Sequence, residues 1–136
     1  MKPYATFDRT QFPLIQVTFT GEKETPENFT AYLEGLHQNY DRQAPFALVF
    51  DATDAPTPNP SYQKKQADWM KTHDELIRTY CRGVAYVVPG LVLRNVLKLI
   101  FKMQRNPVPF EVFGDLVEGR KWAEAQLSFQ DKRSNQ

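Results

Sequence analysis

The chain has 136 residues, a formal charge of +1, and 41% hydrophobic and 13% aromatic residues. A domain of this size buries roughly 68–70% of its unfolded surface, so one core suffices without a metal or a cross-link. The single cysteine, Cys81, excludes an intramolecular disulfide and a cysteine-based zinc site.

The opening MKPYATFDRTQF has no apolar signal core. The longest apolar run, Gly90 to Met103, is broken by charges and too short to span a bilayer. A soluble, cytoplasmic protein is therefore expected. The charge is unevenly placed: residues 1–60 carry −4, residues 61–105 carry +6, and residues 106–136 carry −1. Solvated helix faces account for such a pattern, and so does attraction to an anionic partner or membrane.

In chain order, YATFDRTQFPLIQVTFTG reads as two strands joined by a reversal. Ile15, Val17 and Phe19 alternate with Gln16, Thr18 and Thr20, the period of a half-buried strand. A helix follows, capped by Thr25, with Pro26 in its first turn and Glu27 at its positive dipole end. Phe29, Leu33, Leu36 and Tyr40 form its apolar stripe. PFALVFD is a short apolar run suited to a strand buried on both faces. The prolines of ATDAPTPNP exclude helix until Asn59 or Pro60. A second helix is expected through SYQKKQADWMKTHDELIRTY, with Tyr62, Gln66, Trp69, His73, Ile77 and Tyr80 on one side. GVAYVV is another buried strand, and PGLVLRNVLKLIFKMQRN a third helix stopped by Pro107. VPFEVF is the last strand. The last helix has Asp115 at its cap and Glu118 three residues on.

The order β-β-α-β-α-β-α-β-α implies an α/β domain: one mixed, mostly parallel sheet of about five strands, an antiparallel edge strand and about four helices. Residues 1–128 are read as a single domain and 129–136 as a frayed tail.

Three segments carry a resemblance. FALVFDAT, ending its strand at Asp51, RGVAYVV, and VPFEVFGDLVEGRKWAEAQL, with Phe113, Asp115, Glu118 and Trp122, resemble the STAS-like, or SpoIIAA-like, family of small bacterial α/β proteins. The resemblance implies the SpoIIAA-like arrangement. The reading that follows is a non-enzymatic, regulatory module that binds a protein partner or an apolar small ligand; similar relatives are suspected of binding apolar small molecules or lipids. The family's anti-sigma-factor antagonists carry an Asp-Ser-Ser-Gly segment whose Ser is phosphorylated. Here the segment reads DATDAPTPNPSYQ, with Thr53, Thr57 and Ser61 as its hydroxyls, so that phosphoswitch is not implied.

In open α/β sheets ligands sit beyond the carboxyl ends of the parallel strands. That rule nominates Asp51, Thr53, Asp54, Pro89 and Gly90 as ligand-binding residues, with backbone N–H groups after VVPG facing a possible anion. A turn that merely reverses the chain explains the same residues. An enzyme around Asp51, Asp54 and His73 is the alternative from another class, but no nucleophile–base–orienter set can be assembled. No catalytic residue, metal ligand or cofactor is assigned, and nucleic-acid binding is disfavoured by the near-zero charge and the lack of a motif.

The third helix poses the sharpest question. At about 100° per residue, Arg94, Lys98, Lys102 and Arg105 form one stripe, and the apolar arc spans about 200° where about 100° would face a core. Leu93, Leu97 and Phe101 are left over beside Arg94, Lys98 and Lys102. These six residues form the expected partner or membrane contact, as a homodimer or protein interface or as a peripheral lipid-binding face.

Overall fold

The computed structural model describes residues 1–57, 59–91, 93–95, 98 and 107–134. Its centre is one five-stranded sheet in the spatial order β1-β2-β3-β4-β5. Strand β1 (Ala5–Asp8) is one edge and pairs antiparallel with β2 (Leu14–Phe19). Strands β2, β3 (Phe46–Asp51), β4 (Cys81–Val87) and β5 (Phe110–Phe113) are all parallel neighbours. This is the mixed sheet expected from the element order, with both continuous apolar runs inside it. An interior place is required of them, because β3 is buried from Phe46 through Phe50 and an edge would leave one row of its hydrogen-bonding groups to water.

The pleat sends alternate residues to opposite faces. Ile15, Val17, Phe46, Leu48 and Phe50 join one core cluster. Leu14, Ala47, Val49, Ala85 and Val87 join another. The first lies under α1 (Pro26–Gln38), α2 (Pro60–Thr72) and α3 (Asp74–Tyr80), through residues such as Phe29, Leu36, Trp69 and Ile77. The second lies under the C-terminal helix (Leu116–Ser134), through Ala123, Trp122 and Leu127. Between Phe46↔Cys81 and Leu48↔Val84 the register slips by one residue. That bulge places Cys81 and Val84, three apart, in the same core cluster.

Local chemistry sets the helix ends. Thr25 Oγ1 accepts from the Asn28 amide at 3.1 Å, and Asn28 Oδ1 accepts from the Thr25 amide at 2.7 Å. This is a capping box with asparagine in the usual place of glutamate. Asn59 caps α2, accepting at Oδ1 from the Ser61 amide at 2.9 Å. Asp115 Oδ1 accepts from Val117 N at 3.3 Å, in keeping with the cap expected there. Gly35 lets α1 lie against β1, since a Cβ there would overlap the Phe7 ring.

Two boundaries differ from the sequence reading. The second helix is not continuous: His73, at φ −108° and ψ 22°, separates α2 from α3. Helix α2 has no fully buried residue, whereas α3 buries Ile77 and passes into β4 with no intervening loop. The break turns the chain down onto the sheet. The C-terminal helix continues to Ser134, through residues assigned to a frayed tail. Of the third expected helix, Leu91, Leu93, Arg94, Asn95 and Lys98 are helical. Leu97, Phe101, Lys102 and Arg105 lie outside the described residues.

Candidate functional site

Helix α2 crosses the sheet without burying any residue fully. Its inner stripe, Tyr62, Gln66, Trp69 and Met70, is only half-buried because it roofs a hollow. The floor under Trp69 and Met70 is Leu48, Phe50, Val84 and Tyr86, from the central strands. Leu36 of α1 and Ile77 of α3 form side walls, and Pro107, Val108 and Phe110 reach in from the strand β5 end. This lobe has a volume of about 60 Å³. A water molecule needs about 10–15 Å³ by that measure, so several waters or a small apolar group would fit.

A second lobe of about 180 Å³ adjoins it and shares Phe50, Gln66 and Tyr86. It opens at the carboxyl end of β3, where Ala52, Ala55 and Pro56 line it, with Tyr62 and Tyr32 on the helix side. The crevice therefore reaches the place where parallel sheets usually receive ligands.

Apart from Glu24 in the second lobe, the lining carries no Asp, Glu, Lys or Arg, and its buried phenols and thiol stay protonated. Burial pushes the Tyr86 phenol up to about 12, with Cys81 as a smaller cause. Burial likewise raises the Cys81 thiol to about 12, against smaller opposing effects of the Gly83 backbone and the Arg82 charge. Tyr32 is raised well above the ordinary phenol range, first by burial. A thiol held protonated in this way is a poor nucleophile. Gln66 stands at the junction of the lobes, and its Oε1 accepts from the Tyr32 hydroxyl at 3.3 Å. That single bond leaves its amide with spare hydrogen-bonding capacity. The site can hold an apolar body and offer polar contacts at Gln66 and Glu24.

The residues nominated from sequence fall elsewhere. Asp51 is the next residue after Phe50 and so points to the other face of the sheet. Its Oδ1 accepts from the Thr53 amide at 3.1 Å and the Thr53 hydroxyl at 2.5 Å, so both residues close a turn. Asp54 is exposed, its backbone carbonyl beside Gly21. Gly21 has φ +94°, which glycine adopts without strain. Ser61 is held within the α2 cap, its hydroxyl donating to Asn59 Oδ1 at 2.8 Å.

Pro89, Gly90 and Arg94 do come together, in an arrangement not foreseen from the cationic stripe. Arg94 Nη1 donates to the Val88 and Pro89 carbonyls at 3.0 and 3.2 Å, and its guanidinium lies against Gly114. Arg94 thus stitches the turn after β4 to the end of β5. Lys98 is exposed, and Leu91 and Leu93 are 61% and 54% exposed.

His73 packs on Trp69, ring centres 4.7 Å apart, and on His37 at 5.0 Å. Burial lowers its pKa, with His37 as the second cause. The contact with Trp69 follows from their spacing of four on one side of the expected helix. The pairing with His37 was not visible from sequence.

Among the described residues no helix is long and apolar enough to cross a membrane. No family model and no curated protein matches the chain. One solved structure is similar: an uncharacterised protein of the DUF3478 family with a SpoIIAA-like fold, from Shewanella loihica. It is 16% identical, with a TM-score of 0.66 over 88% of this chain and 91% of that one. The sheet order, the helices on both faces and this likeness together identify the fold of the chain as SpoIIAA-like.

Proposed function

We propose that the protein is a non-enzymatic binding module that takes up an apolar small molecule between α2 and the sheet. The observation that carries this reading is the two-lobed crevice beneath a helix that buries none of its residues fully. Burying apolar ligand surface there contributes about 25 cal/mol per Å², and Gln66 supplies a polar contact at the junction of the lobes. A catalytic reading lacks support: Asp51 is tied to Thr53, and Cys81 is held as the thiol.

The test uses the neutral dye N-phenyl-1-naphthylamine. Saturable binding with quenching of Trp69 emission is expected. Met70→Trp, which fills the first lobe from its roof, should weaken binding about tenfold or more, roughly 1.4 kcal/mol per factor of ten, with the fold retained by circular dichroism. Equal binding by the folded variant would sink the proposal.

A second reading is favoured by a separate observation. Leu91 and Leu93 are exposed on the helical segment that also carries exposed Lys98. Such a face suits a peripheral lipid surface, or a second copy of the chain with the cation at its rim. Cosedimentation with phosphatidylserine vesicles that is lost in Leu91→Glu/Leu93→Glu would favour the membrane, and a change in oligomeric mass alone would favour the dimer.

A further inference from the structure

Only two histidines occur in the chain, 36 positions apart at His37 and His73. One is in the last turn of α1 and the other at the break between α2 and α3. The fold brings their rings to 5.0 Å between centres, with 57° between planes. They share an open groove of about 500 Å³ with Glu34, Gln38 and Trp69. Neither imidazole is hydrogen-bonded to another described residue, so their nitrogens remain available.

The separation is one that two imidazoles sharing a metal ion can have. A tetrahedral ion binds each imidazole nitrogen at about 2.0–2.1 Å, which puts each ring centre about 3.2 Å from the ion and the two centres about 5.2 Å apart. At a right angle, as in octahedral geometry, the same construction gives about 4.5 Å. The observed 5.0 Å falls between these two arrangements.

We propose that His37 and His73 form a two-imidazole site for a divalent first-row transition-metal ion. Among the described residues no group of three or more His, Cys, Asp or Glu is placed to hold a metal. Water therefore completes the shell, with Glu34 and Gln38 along the groove to hydrogen-bond it. Imidazole donors select copper, nickel or zinc over magnesium or calcium. The ion would join α1 to the α2–α3 corner, the elements that roof the crevice, but its binding does not depend on what the crevice holds.

The experiment is calorimetric titration of the full chain, with no dye or lipid present, using Cu²⁺, Ni²⁺, Zn²⁺ and Mg²⁺. One equivalent is expected, with Cu²⁺ tightest and no binding of Mg²⁺. Loss of an outer partner of a metal ligand alone typically costs about 10–100-fold in affinity. His37→Ala and His73→Ala should each cost at least about 100-fold, the upper end of that range. His37 is exposed, so its variant keeps the fold, and thermal melting verifies this. Cu²⁺ should also quench the emission of Trp69, and Trp69→Phe should remove that response while binding persists. Binding unchanged in the folded His37→Ala variant, or equal heats from Mg²⁺ and Zn²⁺, would overturn the proposal. Neither result bears on the dye experiment, which tests the crevice separately.

Discussion

Under the C-terminal helix the sheet presents Ala47, Val49, Ala85 and Val87, and the helix answers with Ala123 and Gly119. A Cβ at Gly119 would stand 3.0 Å from Val87 Cγ2 and 3.7 Å from the Ala85 Cβ. Small side chains and a missing Cβ let helix and sheet approach closely, and Arg120 fixes the contact by donating to Gln16 Oε1 at 2.7 Å. Under α1–α3 the same strands present Phe46, Leu48, Phe50, Val84 and Tyr86. Rings meet there edge-on or tilted, as in Tyr4–Tyr32 and Tyr40–Phe46, and stacked in Phe50–Tyr86. Bulky rings hold the helices off the sheet, and the gap they fail to fill is the crevice. One sheet thus serves as a close-packed support on one side and a binding surface on the other.

The comparison breaks most directly at Ala85, which is fully buried on the close-packed side. Ala85→Leu has no room beneath Gly119 and should destabilise by roughly 1–3 kcal/mol, the usual cost of overpacking. Urea unfolding measures it. A variant as stable as the parent would mean that the close-packed side has slack and that the contrast between the faces is wrong.

The next effect is a pH dependence. The raised pKa values of Tyr4, Tyr32, Tyr40, Tyr86 and Cys81 all belong to the helix-roofed side, each caused first by burial. A group whose folded pKa is raised contributes stability that is full below its unfolded value and lost as pH rises through the folded one. The window opens near 9.0 for Cys81 and 10.0 for the phenols, and extends to about 12 for Cys81, Tyr4 and Tyr86. Unfolding midpoints should therefore be level at pH 8 and fall steadily from pH 9 to 11. Tyr86→Phe should reduce the slope. A flat profile in the parent protein would show that these groups are solvated after all.

The smallest effect is expected one residue from the largest. Val84 lines the crevice floor on the opposite face from Ala85. Val84→Leu adds a methylene into open space, so its cost should stay below about 1.5 kcal/mol, the range for tolerated hydrophobic exchange. The pair of substitutions at 84 and 85 measures the two faces within a single strand. Equal losses would remove the distinction.

Several elements were legible because their signals are local. Thr25 caps α1 as expected, although its partner Asn28, three residues on, was not foreseen, and the prolines before Asn59 delay α2. Continuous apolar runs marked β3 and β4 as interior strands. The break at His73 was not legible, since Tyr62, Gln66, Trp69, His73 and Ile77 keep helical spacing across it. The candidate site was scarcely legible. The polar Gln66 within an otherwise apolar stripe was its one sequence signal, and it points to a pocket only once the stripe is seen to lack full cover. Asp51 and Thr53 drew attention as strand-end residues, but their hydrogen bonds are to each other.

By itself the sequence determined the α/β class, the order of the elements, the caps and the two strands at the centre of the sheet. These depend on periodicity and on hydrogen bonds between residues a few positions apart, which the chain specifies wherever it goes. The tertiary structure alone decided which face would be hollow, because that depends on how far rings on separate strands hold a helix away. It alone brought Gln66 over Tyr86 and His37 against His73, since contacts across tens of residues arise only when the sheet has set the helices side by side.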